Sequence, residues 1–597
     1  RLNLAVRGGT EFVRYFGSFN HGDQTGFVSW NTDKQTTGRA SITVTPSEKV
    51  SLTLNGSYVN GDTRTTGEDL WGSFIEANAN ARNTPSFGFF IPPNLIESEL
   101  FEEIFVDRSM WSGQLEYRPS SWLTSRLVVG SDFTTETISE YLRRQVDLDT
   151  GFWGDDNPGF RDLDTYETRV TTVDAGATGR FDLSSSLVSA SSVGFQFYDQ
   201  SRVRRGAYGD GFISPVLSTV STAQTRNAAE TFTEQISAGG YVQQAFEWNN
   251  RLFVTAAVRG DDHSAFGSEF DAAIYPKASI AWVLSEEPFF NVNFFDELRL
   301  RGAWGAAGRQ PSTFAASRLY GTQNGRLSTV LTPKTVGNPE LGPERSEEIE
   351  IGFDAAILDQ RLNLEVTQYW KTTEDAIVDQ RLAPSLGFPG TQSLNVGQVS
   401  NWGTEIGAGL QVLREGPVQW DIGAAFATMN NRVDELGGTV ERIAIGEDQV
   451  GLYHVEGYPL ASFFHKKVVS ADFVSGNRGA VTNVLCDAGT DVNESGTLAG
   501  GFGGAAVPCA QAPQIFWGRA GQPTWSLNLN SGLTLFNNWR LSATADGVGG
   551  HYQVDQEIAA RHTTYGTTEA FQRKDNPIIM AYTAQQDGVS RNPLAIY

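Results

Sequence analysis

Cys486 and Cys509 are the only cysteines in this 597-residue chain, and they bracket a polar, glycine-rich stretch, CDAGTDVNESGTLAGGFGGAAVPC. That placement suits a disulfide closing one long surface loop in an oxidising compartment, with two unrelated free thiols as the alternative. Inside the bracket, DVNESG (491–496) spaces the side-chain oxygens of Asp491, Asn493 and Ser495 as at the start of a calcium loop. The twelfth position is Phe502 where such a loop carries a bidentate glutamate, so the complete loop is absent. A partial structural Ca2+ site completed by backbone carbonyls stands against an Asx-rich turn. A second stretch, GFWGDDNPGF (151–160), could contact a ligand: the Trp153 ring can stack on a sugar or peptide, while Asp155, Asp156 and Asn157 supply hydrogen bonds. The same residues could instead serve a loop packed on itself or on a partner.

Nothing else resembles catalytic or cofactor chemistry. The six histidines (21, 263, 454, 465, 551, 562) are scattered, with no H-E-x-x-H, no C-x-x-C and no pair at ligand spacing. GAWGAAG (302–308) follows a strand into a loop without a helix, so it is not a dinucleotide fingerprint. No nucleophile elbow or phosphate loop occurs. An enzyme is therefore not expected, and no cofactor is implied beyond the partial calcium motif. The net charge of −24, with no Lys/Arg cluster interleaved with aromatics, argues against nucleic acid as a partner.

The elements that must carry these loops read as strands throughout. In RLNLEVTQYWKT (361–372), Leu362, Leu364, Val366 and Trp370 alternate with Arg361, Asn363, Glu365, Thr367 and Lys371. Successive strand side chains point to opposite faces, so one face is apolar and the other wet. The same two-residue period recurs in Leu52, Leu54 and Tyr58, in Ile349, Ile351 and Phe353, and in Trp525, Leu527 and Leu529. Several runs stay in phase for about ten residues, enough to cross a bilayer when tilted, whereas soluble strands average about five or six. Short turn signals at 45–49, 247–250, 358–360 and 536–538 contrast with long Gly/Asp/Pro-rich segments at roughly 60–110, 138–168, 199–231, 306–347, 429–461 and 471–523. Aromatic residues at strand ends, including Trp122, Trp304, Trp370, Trp402 and Trp420, suit a headgroup girdle. No apolar run reaches the ~20 residues of a transmembrane helix. The mean hydropathy of −0.29 fits a barrel, whose lumen residues offset its lipid-facing ones. The fold class expected is therefore all-β, a large antiparallel transmembrane β-barrel with long extracellular loops, formed by residues 1–597 as one domain.

Several stretches carry a family likeness in order along the chain. AAVRGDDHSAFG (256–267), YPKASIAWVLSEEPFF (275–290) and LRLRGAWGAAGRQP (298–311) resemble successive barrel strands of the SusC/RagA family of TonB-dependent outer-membrane transporters. GNPELGPERSEEIEIGFDAAILDQRLNLEVTQYWKTTEDAIV (337–378) resembles that family's most recognisable block, and NVGQVSNWGTEIGAGLQ (395–411) the next. The resemblance implies a barrel of about 22 strands in the outer membrane of a Gram-negative bacterium. It implies active import of a bulky nutrient, an oligosaccharide or peptide. A SusD-like surface lipoprotein would lid the mouth, and TonB would supply energy through a plug. The alternatives are a passive porin-type channel and a structural or adhesive β-protein. The family's plug and TonB box do not precede Arg1, and the tail AYTAQQDGVSRNPLAIY does not alternate, so the barrel is expected to be incomplete in this chain. RLNLAVRGG is not a signal peptide, so any targeting segment is expected to have been removed or to lie outside the chain.

Overall fold

The computed structural model describes residues 1–65, 91, 93–146, 153, 156–270, 272–325, 328–388, 390–438, 440–445, 451–536, 538–553 and 576–583. They form two compact units, one from Arg1–Asp182, Ser189–Gln244 and Arg259–Ser264, the other from the remaining residues.

The first unit is an antiparallel meander. Strands Leu2–Gly9, Val13–Thr25, Thr32–Ser47, Val50–Thr65, Leu100–Ser120, Leu123–Leu142 and Phe160–Asp182 pair each with the next. The register stacks like on like: Ile42, Leu54 and Gly113 lie abreast, as do Val44, Leu52, Leu115 and Leu127. One position along, Ser41, Asn55 and Ser112 lie abreast on the other face. There the Ser41 hydroxyl donates to Asn55 Oδ1 at 2.7 Å, and Asn55 Nδ2 donates to Ser112 Oγ at 3.2 Å. A slip of one residue would exchange the two faces, so this polar ladder and the apolar rows fix one register together.

The second unit repeats the design. Strands Ala273–Val283, Phe295–Arg309, Glu344–Ile357, Leu362–Arg381, Thr391–Leu413, Val418–Thr428, Trp525–Leu535 and Trp539–Gly549 pair in that order. Leu300, Phe353, Val366, Ile406, Phe426 and Leu527 make one apolar row across it. The turns anticipated at 358–360 and 536–538 are present, with Leu358, Asp359 and Gln360 all in the left-handed region (φ 57–62°). Arg361 fastens this end by donating to the Gln411 carbonyl at 3.0 Å and to that of Val412.

Two of the long loops expected from sequence are mostly strand. Leu123–Leu142, Phe160–Asp182, Leu187–Phe212 and Ala223–Trp248 run on well past the apolar rows, into segments that the sequence suggested were loop. No apolar alternation marks the extensions, and polar cross-strand pairs hold them instead. Arg204 donates to both Asp164 oxygens at 3.0 and 2.8 Å, and Arg205 to Glu167 at 2.7 Å. The Arg202 guanidinium lies 4.5 Å from the centre of the Tyr166 ring.

The segment between Thr428 and Trp525 is a folded insertion. Its short strands build a six-stranded and a three-stranded sheet around two small cores. Tyr453, Phe464 and Leu498 fill one, with the Tyr458 and Phe516 rings packed on it edge to face. The other surrounds a disulfide between Cys486 and Cys509. Among the described residues the only α-helices are Pro93–Glu99 and Pro577–Thr583, seven residues each, and none is long and apolar enough to cross a membrane.

Candidate functional site

The two faces of each unit are chemically opposite, and the polar face is the candidate surface for traffic. In the first unit, Arg126 and Gln196 both donate to Asp174, at 3.1 and 2.7 Å. Arg259 then donates to Gln196 Oε1 at 2.6 Å and grips Asp261 with two hydrogen bonds of 2.6 and 2.7 Å. Charge is thus paired side by side along the wall, which avoids isolated buried ions and leaves edges exposed to solvent.

On the second unit the same face holds a concavity of about 500 Å³. One register row makes it: Glu365, Gly407, Ala425, Asn528 and Asp546 lie abreast across five strands. The two small residues form a floor, with Glu365 on one side and Asn528, which donates to Asp546, on the other. Arg301 closes an end, 3.0 Å from Asp354 and donating to Thr367 Oγ1 at 2.7 Å. Mixed carboxylate, amide and guanidinium groups around small residues can hydrogen-bond a polar ligand but offer no nucleophile and base in contact.

The apolar face is left uncovered. Leu54, Ile349, Ile351 and Leu529 remain 50%, 47%, 58% and 40% exposed. Trp304, Ile349, Trp370 and Trp402 form one row near one end of the strands, and Trp420 and Trp539 stand near the other. Ten residues separate Trp525 from Leu535 on one strand, about 33 Å at ~3.3 Å each. Tilted by ~40°, this gives an apolar band about 25 Å tall, the height of a barrel's lipid-facing band.

The residues singled out in sequence are placed as follows. Asp155 lies outside the described residues. Trp153 packs on Ile91 and Ile96, and Asn157 is buried, its side-chain oxygen accepting the Trp153 backbone N–H at 3.0 Å. Both make contacts within the loop, while Asp156 is exposed. Asn493 and Ser495 do converge, on a residue that sequence spacing could not supply. Glu441 accepts hydrogen bonds from the Asn493 amide, the Ser495 hydroxyl and, at 2.7 Å, the Thr497 hydroxyl. Asn493 Oδ1 meanwhile accepts the backbone N–H groups of Thr497 and Leu498, both at 3.0 Å. This arrangement presents donors to a carboxylate and spends the amide oxygen on the turn, so as it stands it does not fit a hard cation, which needs converging oxygens. The hydrogen bonds, that of Ser495 first, hold the Glu441 carboxyl below its ordinary range. Burial pushes the neighbouring Asp487 carboxyl up, but backbone N–H groups of Gly503, Gly489 and Gly504 outweigh it and the net shift is downward. Burial also lowers the His454 pKa, which favours the neutral ring, and His454 Nδ1 accepts the Ala461 N–H at 3.2 Å.

The block GNPELGPE (337–344), noticed only as a resemblance, is a fastening. Asn395 accepts the Gly342 N–H at 2.8 Å and donates to the carbonyls of Gly342 and Asp375. Asn338 reaches the Ser393 carbonyl, and Leu341 is fully buried. Gly267 is required beneath the block, because a Cβ there would sit 2.0 Å from the Pro339 carbonyl oxygen.

Long two-faced antiparallel strands with an uncovered apolar band, aromatic rims and a hydrogen-bonded polar face define a membrane-spanning β-barrel protein. Residues 38–577 match the family model described as TonB dependent receptor-like, beta-barrel, and the chain belongs to that family. It is similar to the TonB-dependent receptor P39 of Formosa agariphila, 22% identical over 485 residues that cover 73% of this chain and 43% of that protein. It is also similar to the TonB-dependent receptor SusC of Bacteroides thetaiotaomicron, 24% identical over 36% of this chain and 23% of that protein. Among solved structures, a chain of the RagAB peptide transporter superposes with a TM-score of 0.80 at 17% identity, covering 95% of this chain and 64% of that one. The chain spans less than half the length of the curated relatives it matches. It is an all-β protein with the barrel fold of TonB-dependent receptors, as the resemblance read from sequence implied.

Proposed function

We propose that this chain is the barrel wall of an active importer in the outer membrane of a Gram-negative bacterium, carrying a bulky nutrient inward. TonB would drive it through a plug outside this chain, and a SusD-like lipoprotein would cover the extracellular mouth. The observation that carries the reading is the family match across 38–577 of a chain whose apolar face is built for lipid. The RagAB importer, similar in fold, supports a peptide as cargo, and the resemblance read from sequence keeps an oligosaccharide open beside it. The polar face supports either, since it offers paired carboxylates, amides and guanidinium groups.

The test is isolation of the full-length protein from native membranes with identification of its companions. A co-purifying surface lipoprotein, together with uptake lost when TonB is deleted, is the expected result. Uptake that persists without TonB and without a lipoprotein would overturn active import and leave a passive channel.

A further inference from the structure

The core around the disulfide holds a second element that arrives from far along the chain. The Pro577–Thr583 helix follows the last wall hairpin, starts on Asn576, whose side-chain oxygen accepts the Ile578 N–H at 2.9 Å, and carries proline at its first position. It delivers Met580, Ala581 and Tyr582 into the same core as Cys486, Cys509, Val468, Val481 and Val484. Both cysteines are fully buried there.

Polar contacts join helix and disulfide as well. Val468 lies opposite Cys486 in the hairpin of Val468–Val474 and Asn477–Asp487, and its N–H donates to the Tyr582 hydroxyl at 2.9 Å. That hydroxyl reaches the Lys466 carbonyl at 3.5 Å, and Lys466 Nζ donates to the Cys509 carbonyl at 2.6 Å. The disulfide ties the end of the Asn477–Asp487 strand to the Cys509–Gln511 turn, which are two walls of the dock the helix occupies.

We infer that the 577–583 helix and the Cys486–Cys509 disulfide form one redox-sensitive latch on the insertion between Thr428 and Trp525. The docked helix shields the disulfide from reductant, and the disulfide holds the dock in shape for the helix. Coupling of this kind is reciprocal, so weakening either half loosens the other by the same factor. Reduction needs a thiolate to reach a cysteine sulfur through a mixed disulfide. With an added dithiol, the Cys486–Cys509 bond breaks, both residues become thiols, and the reagent closes to its own disulfide.

The full-length protein in detergent tests this in two directions. The rate of reduction by dithiothreitol is followed by alkylation and mass spectrometry in the unmodified protein, Tyr582→Phe and Tyr582→Ala. Reduction proceeds through transient opening of the dock, so it is expected to be about tenfold faster in Tyr582→Ala, with Tyr582→Phe between, because it keeps the ring and loses the hydroxyl that accepts the Val468 N–H. Equal rates in all three overturn the latch. In the reverse direction, the double variant Cys486→Ser, Cys509→Ser is expected to lose hydrogen-exchange protection at 578–582 and Val468. The Leu362–Arg381 and Thr391–Leu413 strands should keep theirs, which establishes that the wall is folded. Unchanged protection of the helix overturns the inference, and if the double variant does not fold, the reduction rates alone decide it.

Discussion

An arginine at Val366 should cost far more than one at either neighbouring control position, because only Val366 faces the middle of the bilayer. Val366 is four residues from Trp370, at one aromatic rim, and four from Leu362, where the strand starts. At ~3.3 Å per residue and a ~40° tilt, each rim is about 10 Å away in depth. Its row neighbours Phe353, Ile406 and Phe426 are all apolar, so no acceptor waits for a guanidinium. Val366→Arg is therefore expected to destabilise by ~2–4 kcal/mol, the cost of arginine at the midplane. Leu362→Arg, on the same face but at the rim, should cost ~0–1 kcal/mol. Asn363→Arg, on the polar face, should change stability by no more than about 0.5 kcal/mol. The assay is reversible unfolding of the full-length protein in lipid vesicles against urea, comparing midpoints at constant slope. A Val366→Arg cost equal to that of Asn363→Arg, or smaller than that of Leu362→Arg, would refute the placement of this face in lipid.

Three further outcomes follow from the contacts. Asn395→Ala removes three hydrogen bonds that fasten the 337–344 block; at about 1 kcal/mol net each, a loss of ~2–3 kcal/mol is expected, read as raised hydrogen exchange at Gly342 and Leu341. Arg204→Ala opens the polar extension of Phe160–Asp182 and Leu187–Phe212 locally, read as raised hydrogen exchange there, and because the pair is partly exposed the unfolding midpoint of the whole protein should hardly move. The third concerns pH. The carboxyls of Glu441 and Asp487 are depressed in the folded insertion, so the stability they contribute is present above their ordinary range and is lost as pH falls through their lowered values. His454, also lowered, acts in the same direction beginning below the ordinary histidine range, since protonation removes the acceptor for Ala461. The protection of residues 490–498 against hydrogen exchange, corrected for the intrinsic pH dependence of the rate, should therefore fall on acidification while that of the wall strands holds, and Glu441→Gln should flatten that response.

The wall was legible in the sequence because lipid on one side and polar side chains on the other impose a strict period of two. The Leu362–Arg381 strand, the 358–360 turn and the tryptophan rims were all readable this way. The signal ends where its cause ends. The strands around Asp164, Tyr166 and Arg204 carry polar residues held by cross-strand pairs and show no apolar alternation, so their continuation looks like loop. The insertion escaped for a different reason: strands such as Leu452–Val455 and Ser462–His465 have four residues each, too few to show a period, and Ser462–His465 is buried on both faces. Glu441 lies some fifty residues from Asn493, beyond what local spacing can show. The Asn576–Pro577 pair was a readable helix start, but one turn of apolar residues behind it gave too little period to recognise. At 151–160 the structure adds contacts that spacing could not show, Trp153 on Ile91 and Ile96 and Asn157 on the Trp153 backbone N–H.

The most direct test of the central claim is the accessibility of spin labels placed singly at 362–370 in the full-length protein in lipid, measured against oxygen and a water-soluble nickel reagent. The native cysteines are disulfide-bonded and buried, so they leave the labels unambiguous. Oxygen accessibility should peak at the even positions with its maximum at 366, and nickel accessibility at the odd positions, the two alternating out of phase. Nickel reaching both sets equally would mean that the apolar face meets water or protein, and the membrane-wall account would fail.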